Sequence, residues 1–578
     1  MAEKTNTTTE ADIKAEPEMM AEKDNANAEP EKATEAKTEL SKRSEFSSEM
    51  FKIHLSNIPA GMHIGQIKKM LKKWDIDYHK LKPTGAKNKY MYINFANDED
   101  RNKAIDKLDG LEYRGRVLKA QIAQAAKDPF LKKKEDDEPE DTRPTLVRLM
   151  EAVCPLSGLP YEEQVQKKFE KCAELMKGLS QEVMKGLSAY KIPNFNLTED
   201  NIAVVEPVLR SPVTAGYRNK CEFTVGSNPE TKEILVGFRL GKYKAGIINV
   251  ATVDDIPIVS DEMKQVARMF QDFVTKTGLP PYNICSQEGY WKHITVRSNR
   301  KNEVMVIGVI RGDDLTDARK ISLGQEFSEA MTAAPDKANI VSVYLQFTQQ
   351  MKKGNKRDGP LYTHISGQER LQEDVLGAKF SISPGAFFQV NVQGAELLFK
   401  TIGDLVNLDP ESSTVLDVCC GTGTIGICLA TRCKKVIGVD IIESAVDDAN
   451  QNVKENGLTN AKFMAGRAEH LLDRICREHA SPENTVAIVD PPRAGLHPKA
   501  VHAIRSSKIQ KLVYISCDAN AAMGNFNMLT RPPSKTLSGD PFIPTKVIPV
   551  DLFPQTNHFE TILIFERFPM TKLILEEL

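Results

Sequence analysis

Residues 414–440 constrain this chain more than any other stretch. Val415-Leu416-Asp417-Val418 is a short apolar run and predicts a buried strand. Cys419-Cys420-Gly421-Thr422-Gly423-Thr424-Ile425-Gly426 follows as a glycine-rich turn opening into a helix. Val436-Ile437-Gly438-Val439-Asp440 predicts a second strand that ends in a carboxylate. Glycines let the backbone pass close beneath a ligand, and an acid at that strand end accepts both hydroxyls of a ribose. The pattern predicts a nucleoside-cofactor site in a doubly wound α/β sheet. Gly421, Gly423 and Gly426 also satisfy the dinucleotide spacing, so these residues alone leave the cofactor open.

The 578 residues imply about three or four domains. The net charge of −2 and a pI near 6.6 give no global basic signature, so any nucleic-acid surface must be local. The sequence has no apolar run of the roughly 18 residues a membrane span needs, and no apolar signal core near Met1. The ten cysteines are scattered and form no C-x-x-C pair. That spacing argues for a reducing compartment and against clustered zinc or iron–sulfur ligation. The expectation is a cytosolic protein, with nuclear access left open, no resident metal and a monomeric state.

Residues 1–48 are rich in Glu, Lys, Ala and Thr and predict a disordered tail. Residues 49–125 alternate differently. Strand-like runs at 51–58, 89–95 and 116–120 are interleaved with helical periodicity at 64–74 and 98–108. This order resembles the RNA-recognition motif, with residues 53–58 matching its shorter signature and 88–95 its longer one. Asn88 and Lys89 replace the usual basic residue and glycine. In that family, aromatics on the two central strands stack on splayed bases. The matching positions here are His54, Tyr90 and Tyr92.

Residues 126–144 read as a charged linker, with Lys132-Lys133-Lys134 followed by Glu135-Asp136-Asp137-Glu138. Residues 145–375 read as a helical segment plus a central α+β substrate domain. Val165, Phe169, Cys172, Met176 and Leu179 recur at spacings of three and four, an amphipathic stripe suited to core packing. Gly216-Tyr217-Arg218-Asn219-Lys220 opens a strand, and the basic groups of Arg218 and Lys220 beside Tyr217 suit a phosphate and base surface. Lys352, Lys353, Lys356 and Arg357 form a second basic stretch. Residues 376–568 read as the α/β domain, and 569–578 as a C-terminal tail.

The chemistry concentrates late in the chain. Val486-Ala487-Ile488-Val489 predicts a buried strand with Asp490-Pro491-Pro492-Arg493 just past its carboxyl end, where open α/β sheets bind ligands. A strand ending in acid–proline–proline resembles methyltransferases that use S-adenosylmethionine, and a nicotinamide enzyme does not call for that exit. The next strand delivers Cys517 to the same rim, where a thiolate can act as a nucleophile. Glu560 opens the last strand.

Together these strings resemble the RNA uracil-C5 methyltransferases over roughly 205–568, and most closely the eukaryotic tRNA-directed members that carry an RNA-recognition motif before the enzyme. The shared strings are Gly216-Tyr217-Arg218-Asn219-Lys220, Phe388-Gln389-Val390-Asn391, Asp490-Pro491-Pro492-Arg493-Ala494-Gly495, Ser516-Cys517 and Phe553-Pro554-Gln555-Thr556 with His558 and Glu560. One departure is Ala519, where the family usually has proline. The cysteine cluster of the bacterial ribosomal relatives is absent. The resemblance implies a Rossmann-like methyltransferase domain using S-adenosylmethionine. It implies Cys517 as nucleophile and Glu560 as proton acceptor. It also implies cofactor contacts from Gln389, Cys419, Gly421, Thr424, Asp440 and Asp490, and tRNA as the partner, modified at the T-loop uridine, tRNA position 54. The contrasting expectation is an RNA-binding protein or tRNA chaperone with weak or no methyl transfer. Intact Cys517 and Glu560 weigh against it.

Overall fold

A computed structural model describes residues 51–59, 64–83, 90–123, 143–188, 198, 201–228, 231–241, 249–284, 286–349, 361–481 and 483–570. The expected tail, the second basic stretch at 352–357, Asn88, Lys89 and most of the charged linker lie outside them. The chain divides into two compact units, Met1–Leu131 and Lys132–Leu578.

In the first unit, four antiparallel strands run in the order Lys80–Pro83, Tyr90–Asn94, Lys52–Ser56, Lys119–Ile122. Side chains alternate across a strand. Ile53, Leu55, Met91 and Ile93 are therefore buried with the inner faces of helices Ile64–Lys73 and Asp98–Leu108. His54, Tyr90 and Tyr92 take the opposite face. Asn97 fixes the start of the second helix, its Oδ1 accepting from Asp100 N at 2.8 Å.

The second unit contains two large sheets. The first has the order Val250–Ala251, Ile234–Arg239, Lys220–Ser227, Trp291–Ser298, Glu303–Arg311, Asn339–Thr348, Thr363–Gly367. Helices Asp261–Thr277 and Asp317–Thr332 cover one face of it around Phe270, Trp291 and Phe327. The second sheet has the order Ala461–Ala465, Lys435–Asp440, Thr414–Val418, Thr485–Val489, Lys511–Ser516, Glu560–Arg567, Phe542–Val550, Val204–Val205. Its first five strands are parallel, and Glu560–Arg567 returns antiparallel beside Lys511–Ser516. Both faces are packed, which explains why these strands read as continuous apolar runs rather than alternating ones. The chain leaves Thr414–Val418 in one direction and crosses to Thr485–Val489 on the other side, creating a switch point.

The 28-residue helix Tyr161–Ser188, expected to pack through its apolar stripe, meets Arg210 and Ser211 at its first turn, where Arg210 pairs with Glu162 and Ser211 N donates to the Tyr161 hydroxyl at 2.9 Å. Its stripe of Cys172, Met176, Leu179, Val183 and Leu187 joins the core beneath the second sheet, against Ala519–Thr530 and Phe542–Val550. Only the preceding helix Thr145–Val153, through Leu149, belongs to the central core. Burying each large apolar side chain stabilises by about 1.5–3 kcal/mol, so this stripe ties the helix firmly to the sheet.

Candidate active site

The glycine-rich turn is built as its sequence requires. Cys419 has φ +65°, Gly421 +53° and Gly423 +77°, a run of left-handed backbone that brings the chain over the strand end. At Gly423 a Cβ would come within 2.8 Å of the Phe463 ring, so only glycine fits. Asp440 pins the turn, its carboxylate accepting from Gly421 N and from Ile442 N, each at 2.9 Å. Beneath it, buried Asp417 accepts from Gly426 N at 2.9 Å and its other oxygen has no partner among the described residues. Burial pushes the Asp417 carboxyl up to about 7.

A cleft of about 1520 Å³ opens over the carboxyl ends of these strands. Gln389, Cys419, Gly421, Thr424, Asp440, Asp490, Cys517 and Glu560 all line it, as does Arg218. Strands Thr414–Val418, Thr485–Val489 and Lys511–Ser516 are consecutive in the sheet, so the turn, Asp490 and Cys517 emerge side by side. Glu560 arrives from the next strand, where Thr561 pairs with Ser516 and its hydroxyl donates to Ser516 O at 3.1 Å.

The electrostatics differ sharply from those of exposed side chains. Glu560 is only 5% exposed, and its Oε2 has no partner among the described residues. Burial first, and then the nearby Asp490, push its carboxyl up to about 8, against the opposing pull of Arg493. Burial raises Asp490 to about 7. The Cys517 thiol is raised by burial and then by Glu560, while the positive charge of Arg493 pulls it back down. His558 is held below the ordinary imidazole range by burial and then by Arg493 and Lys171, which favours the neutral ring. Burial raises the Cys419 thiol to about 12, so that sulfur stays protonated near the turn.

The recurrent strings interlock. Asn219 Nδ2 donates to Gln389 O at 2.9 Å, and Asn219 N donates to Val390 O at 2.9 Å. Buried Arg297 donates to Ala386 O at 2.7 Å. Asn391 caps helix Val392–Val406 by accepting from Gly394 N, and its Nδ2 donates to Leu552 O at 3.0 Å. Ala519, in the place of the usual proline, is the first residue of helix Ala519–Thr530. Proline is favoured there because the first helical N–H has no intrahelical partner, so alanine fills the same position without altering the turn.

Two sequence expectations change. Tyr217 offers no surface to a nucleic acid. It is 7% exposed, its ring joins the core around Phe223 and Val259, and its hydroxyl donates to Pro554 O at 3.1 Å. Lys220 does not line the cleft. It lies two residues beyond Arg218 beside Glu222 and Arg297, and burial holds its ammonium below the usual lysine range. Arg493 is the main cleft residue to which the sequence reading gave no role. Its place in the Asp-Pro-Pro-Arg string was noted, and it lines the cleft together with Cys517 and Glu560. In the first unit, His54 lies 4.9 Å from Tyr90 and 5.4 Å from Tyr92, ring centre to centre. Lys52 Nζ sits 4.9 Å from the Tyr92 ring. The three half-buried rings cluster on one face of the sheet with a cation at the edge. Among the described residues no cluster of three or more metal-ligating side chains occurs, and no helix is long and apolar enough to cross a membrane.

A family model described as tRNA (Uracil-5-)-methyltransferase matches residues 368–568, and an RNA recognition motif model matches 55–119. The chain is 37% identical over 526 residues to the tRNA (uracil-5-)-methyltransferase homolog A of Homo sapiens, covering 90% of this chain and 83% of that protein. It is 36% identical over 430 residues to homolog B of Mus musculus, covering 73% of this chain and 86% of that one. A similar solved structure is the Pyrococcus abyssi tRNA (uracil-54, C5)-methyltransferase in complex with S-adenosyl-L-homocysteine. The likeness is 24% identity with a TM-score of 0.49, over 71% of this chain and 84% of that one.

Proposed function

The chain belongs to the tRNA (uracil-5-)-methyltransferase family, and from that premise we propose that it methylates C5 of the T-loop uridine of tRNA through a covalent Cys517–C6 adduct. The observation that carries this reading is the convergence of a thiol and a buried carboxyl, Cys517 and Glu560, on one cleft floored by the glycine turn.

The residues of the turn suit S-adenosylmethionine. A Cβ at Gly421 would meet no atom within 4 Å, so the backbone there faces open space. Asp440 keeps free lone pairs for ribose hydroxyls beyond the two amides it accepts. Ile441 and Ile442, 58% and 57% exposed, present an apolar shelf beside it for a purine. Gln389, Thr424 and Asp490 complete the enclosure. When bound, S-adenosylmethionine supplies a methyl group made electrophilic by its sulfonium.

The remaining steps belong to the chain. Uracil C5 is a weak nucleophile, so it must first be activated. The Cys517 thiolate adds to C6, and the C5–C6 π electrons move toward C5 and the O4 enolate. The positive charge of Arg493, which lines the same cleft, favours the thiolate. Once C5 is methylated, Glu560 takes the C5 proton. The electron pair restores the C5–C6 double bond and expels Cys517. The base must leave its stack to reach this depth. Glu560 must be ionised to act, and burial makes its carboxylate a stronger base than an exposed one. The half-buried ring cluster of His54, Tyr90 and Tyr92 gives a second RNA contact by stacking, and Arg218 a phosphate contact at the cleft.

The test is incubation with unmodified tRNA and methyl-labelled S-adenosylmethionine, followed by nucleoside mass spectrometry and mapping of the labelled position. Label in 5-methyluridine of the T-loop is the expected result. Label in 5-methylcytidine would overturn the choice of base. Tight tRNA binding without label would overturn the enzymatic reading in favour of a chaperone.

A further inference from the structure

Residues 551–559 carry the chain from strand Phe542–Val550 to Glu560, and residues much earlier in the sequence take successive carbonyls of this loop. Asn391 Nδ2 donates to Leu552 O at 3.0 Å and Lys168 Nζ to Phe553 O at 3.0 Å. The Tyr217 hydroxyl donates to Pro554 O at 3.1 Å, and Leu156 N to Gln555 O at 3.0 Å. Gln555 in turn donates from its N to Gln164 Oε1 at 2.8 Å and from Nε2 to Thr214 O at 2.7 Å. Gln555 has φ +67°, a left-handed conformation that a non-glycine residue keeps only when its surroundings over-determine it.

Lys168 is the least expected member of this set. It interrupts the apolar stripe of helix Tyr161–Ser188, is 2% exposed, and meets Asp551, which is 0% exposed, at 2.5 Å. A buried ion pair commonly returns no more stability than well-packed apolar residues of the same volume. Stability therefore does not account for a charge at this position. The pair instead fixes one register of the helix against the loop, and a second N–H of the ammonium goes to Phe553 O.

We propose that Lys168 is a positioning residue for proton removal: through Asp551 and the Phe553 carbonyl it sets the loop that delivers Glu560 to the cleft. The inference rests on the roles given above to Cys517 and Glu560. The two groups are supported separately. Cys517 follows strand Lys511–Ser516, with hydrogen bonds inside residues 516–521, and none of the bonds that hold 551–559 named above reaches those residues; the link between the two sides is the pairing of Thr561 with Ser516. Loosening that hold slows elimination more than thiol addition.

The paired variant Lys168→Met with Asp551→Leu removes both charges and the bond to Phe553 O without stranding a charge in the core. Tyr217→Phe removes one hydroxyl from the same loop. Amide hydrogen exchange, read on the full-length protein alone, is expected to quicken in residues 551–560 of the paired variant while 511–516 stay protected. With tRNA and cofactor, kcat is expected to fall by roughly 10- to 100-fold, the order that a displacement of about 1 Å costs. KM for tRNA and adduct formation should hold, so the ratio of covalent RNA adduct to 5-methyluridine rises. Tyr217→Phe should shift both readouts the same way by less. Unchanged exchange in 551–560 overturns the proposal, and so does a proportional fall of adduct and product. Failure of the wild-type protein to make 5-methyluridine breaks the functional reading instead, because exchange reads the loop without any reaction.

Discussion

Cys517 and Glu560 reach one cleft by opposite routes. Cys517 stands where a parallel strand gives way to a helix. Asp518 caps that helix by accepting from Ala521 N at 3.0 Å, and Asp518 N donates to Ser516 Oγ at 3.3 Å. Glu560 begins a returning strand after a loop whose carbonyls are held by residues as distant as Lys168. The thiol is thus fixed by its neighbours in sequence, and the carboxyl by the fold as a whole. A nucleophile on a strand-to-helix turn needs only local chemistry, whereas a carboxyl kept nearly dry must be enclosed from several sides. That enclosure is what raises it.

The largest expected effect removes the local partner. Cys517→Ala should lower methyl transfer by on the order of 10⁴-fold or more, since burial keeps the other thiol beside the turn, Cys419, protonated. Cofactor affinity, read by calorimetry, should stay near wild type. Retained turnover would leave the thiol without a role. Glu560→Gln should be smaller, roughly 10²- to 10⁴-fold in kcat. Its character should differ, because addition proceeds while elimination stalls. A covalent RNA–protein band that survives denaturing electrophoresis is the expected readout, and normal turnover with no such band would end the assignment of Glu560 as base.

The pH dependence sharpens the same contrast. Glu560 is pushed up to about 8, and Asp490 and Asp417 to about 7. In the unfolded chain such carboxyls ionise near pH 4, on the order of the free side chains. Between those values the folded protein keeps protons that the unfolded chain has released. Stability from this source is complete on the acid side and is lost as pH rises through the folded values. The thermal midpoint of the free protein should therefore decline from about pH 4 to about pH 8 and level off above it, and Glu560→Gln should flatten the decline. Turnover should rise at the upper end of that window, as Glu560 ionises near 8. Adduct formation in Glu560→Gln should begin at lower pH than in wild type, because the substitution removes a negative charge that raises the Cys517 thiol. An adduct profile unmoved by Glu560→Gln would mean that the two groups do not sense each other.

The same division governs what could be read from the sequence. The glycine turn, the apolar strand before it and Asp440 are contiguous, and their geometry follows from residues a few positions apart. The N-terminal unit was legible because a period of two puts Ile53 and Leu55 on one face and His54 on the other. Tyr217 was misread because its partner, the Pro554 carbonyl, lies 337 residues away. The helix Tyr161–Ser188 showed its stripe but not what the stripe covers, since several sheets could accept it. Strand Phe542–Val550 went unseen because Pro544 and Pro549 argue against a paired strand. The sheet accommodates Pro544 at a register shift. From the sequence Glu560 is only the acid that opens the last strand; that it is a buried acid, 5% exposed, follows from the packing of the whole cleft.

The smallest effect should come from breaking the local support alone. Asp518→Ala removes the cap of helix Ala519–Thr530, whose loss typically costs about 0.5–2 kcal/mol. The helix is also anchored by Ala522, Phe526 and Leu529 in the core, so fraying should stop within its first turn. The thermal midpoint should fall by a few degrees at most, roughly 2–4 °C per kcal/mol for a domain of 150–250 residues. Methyl transfer should drop only a few-fold, because strand Lys511–Ser516 still carries Cys517 to the rim. Adduct and product should fall together, since weakening the nucleophile's support slows addition and leaves elimination alone. An adduct that builds up in Asp518→Ala, as in Glu560→Gln, would show that the two supports are coupled, and the separation of local from distant control would no longer describe this cleft.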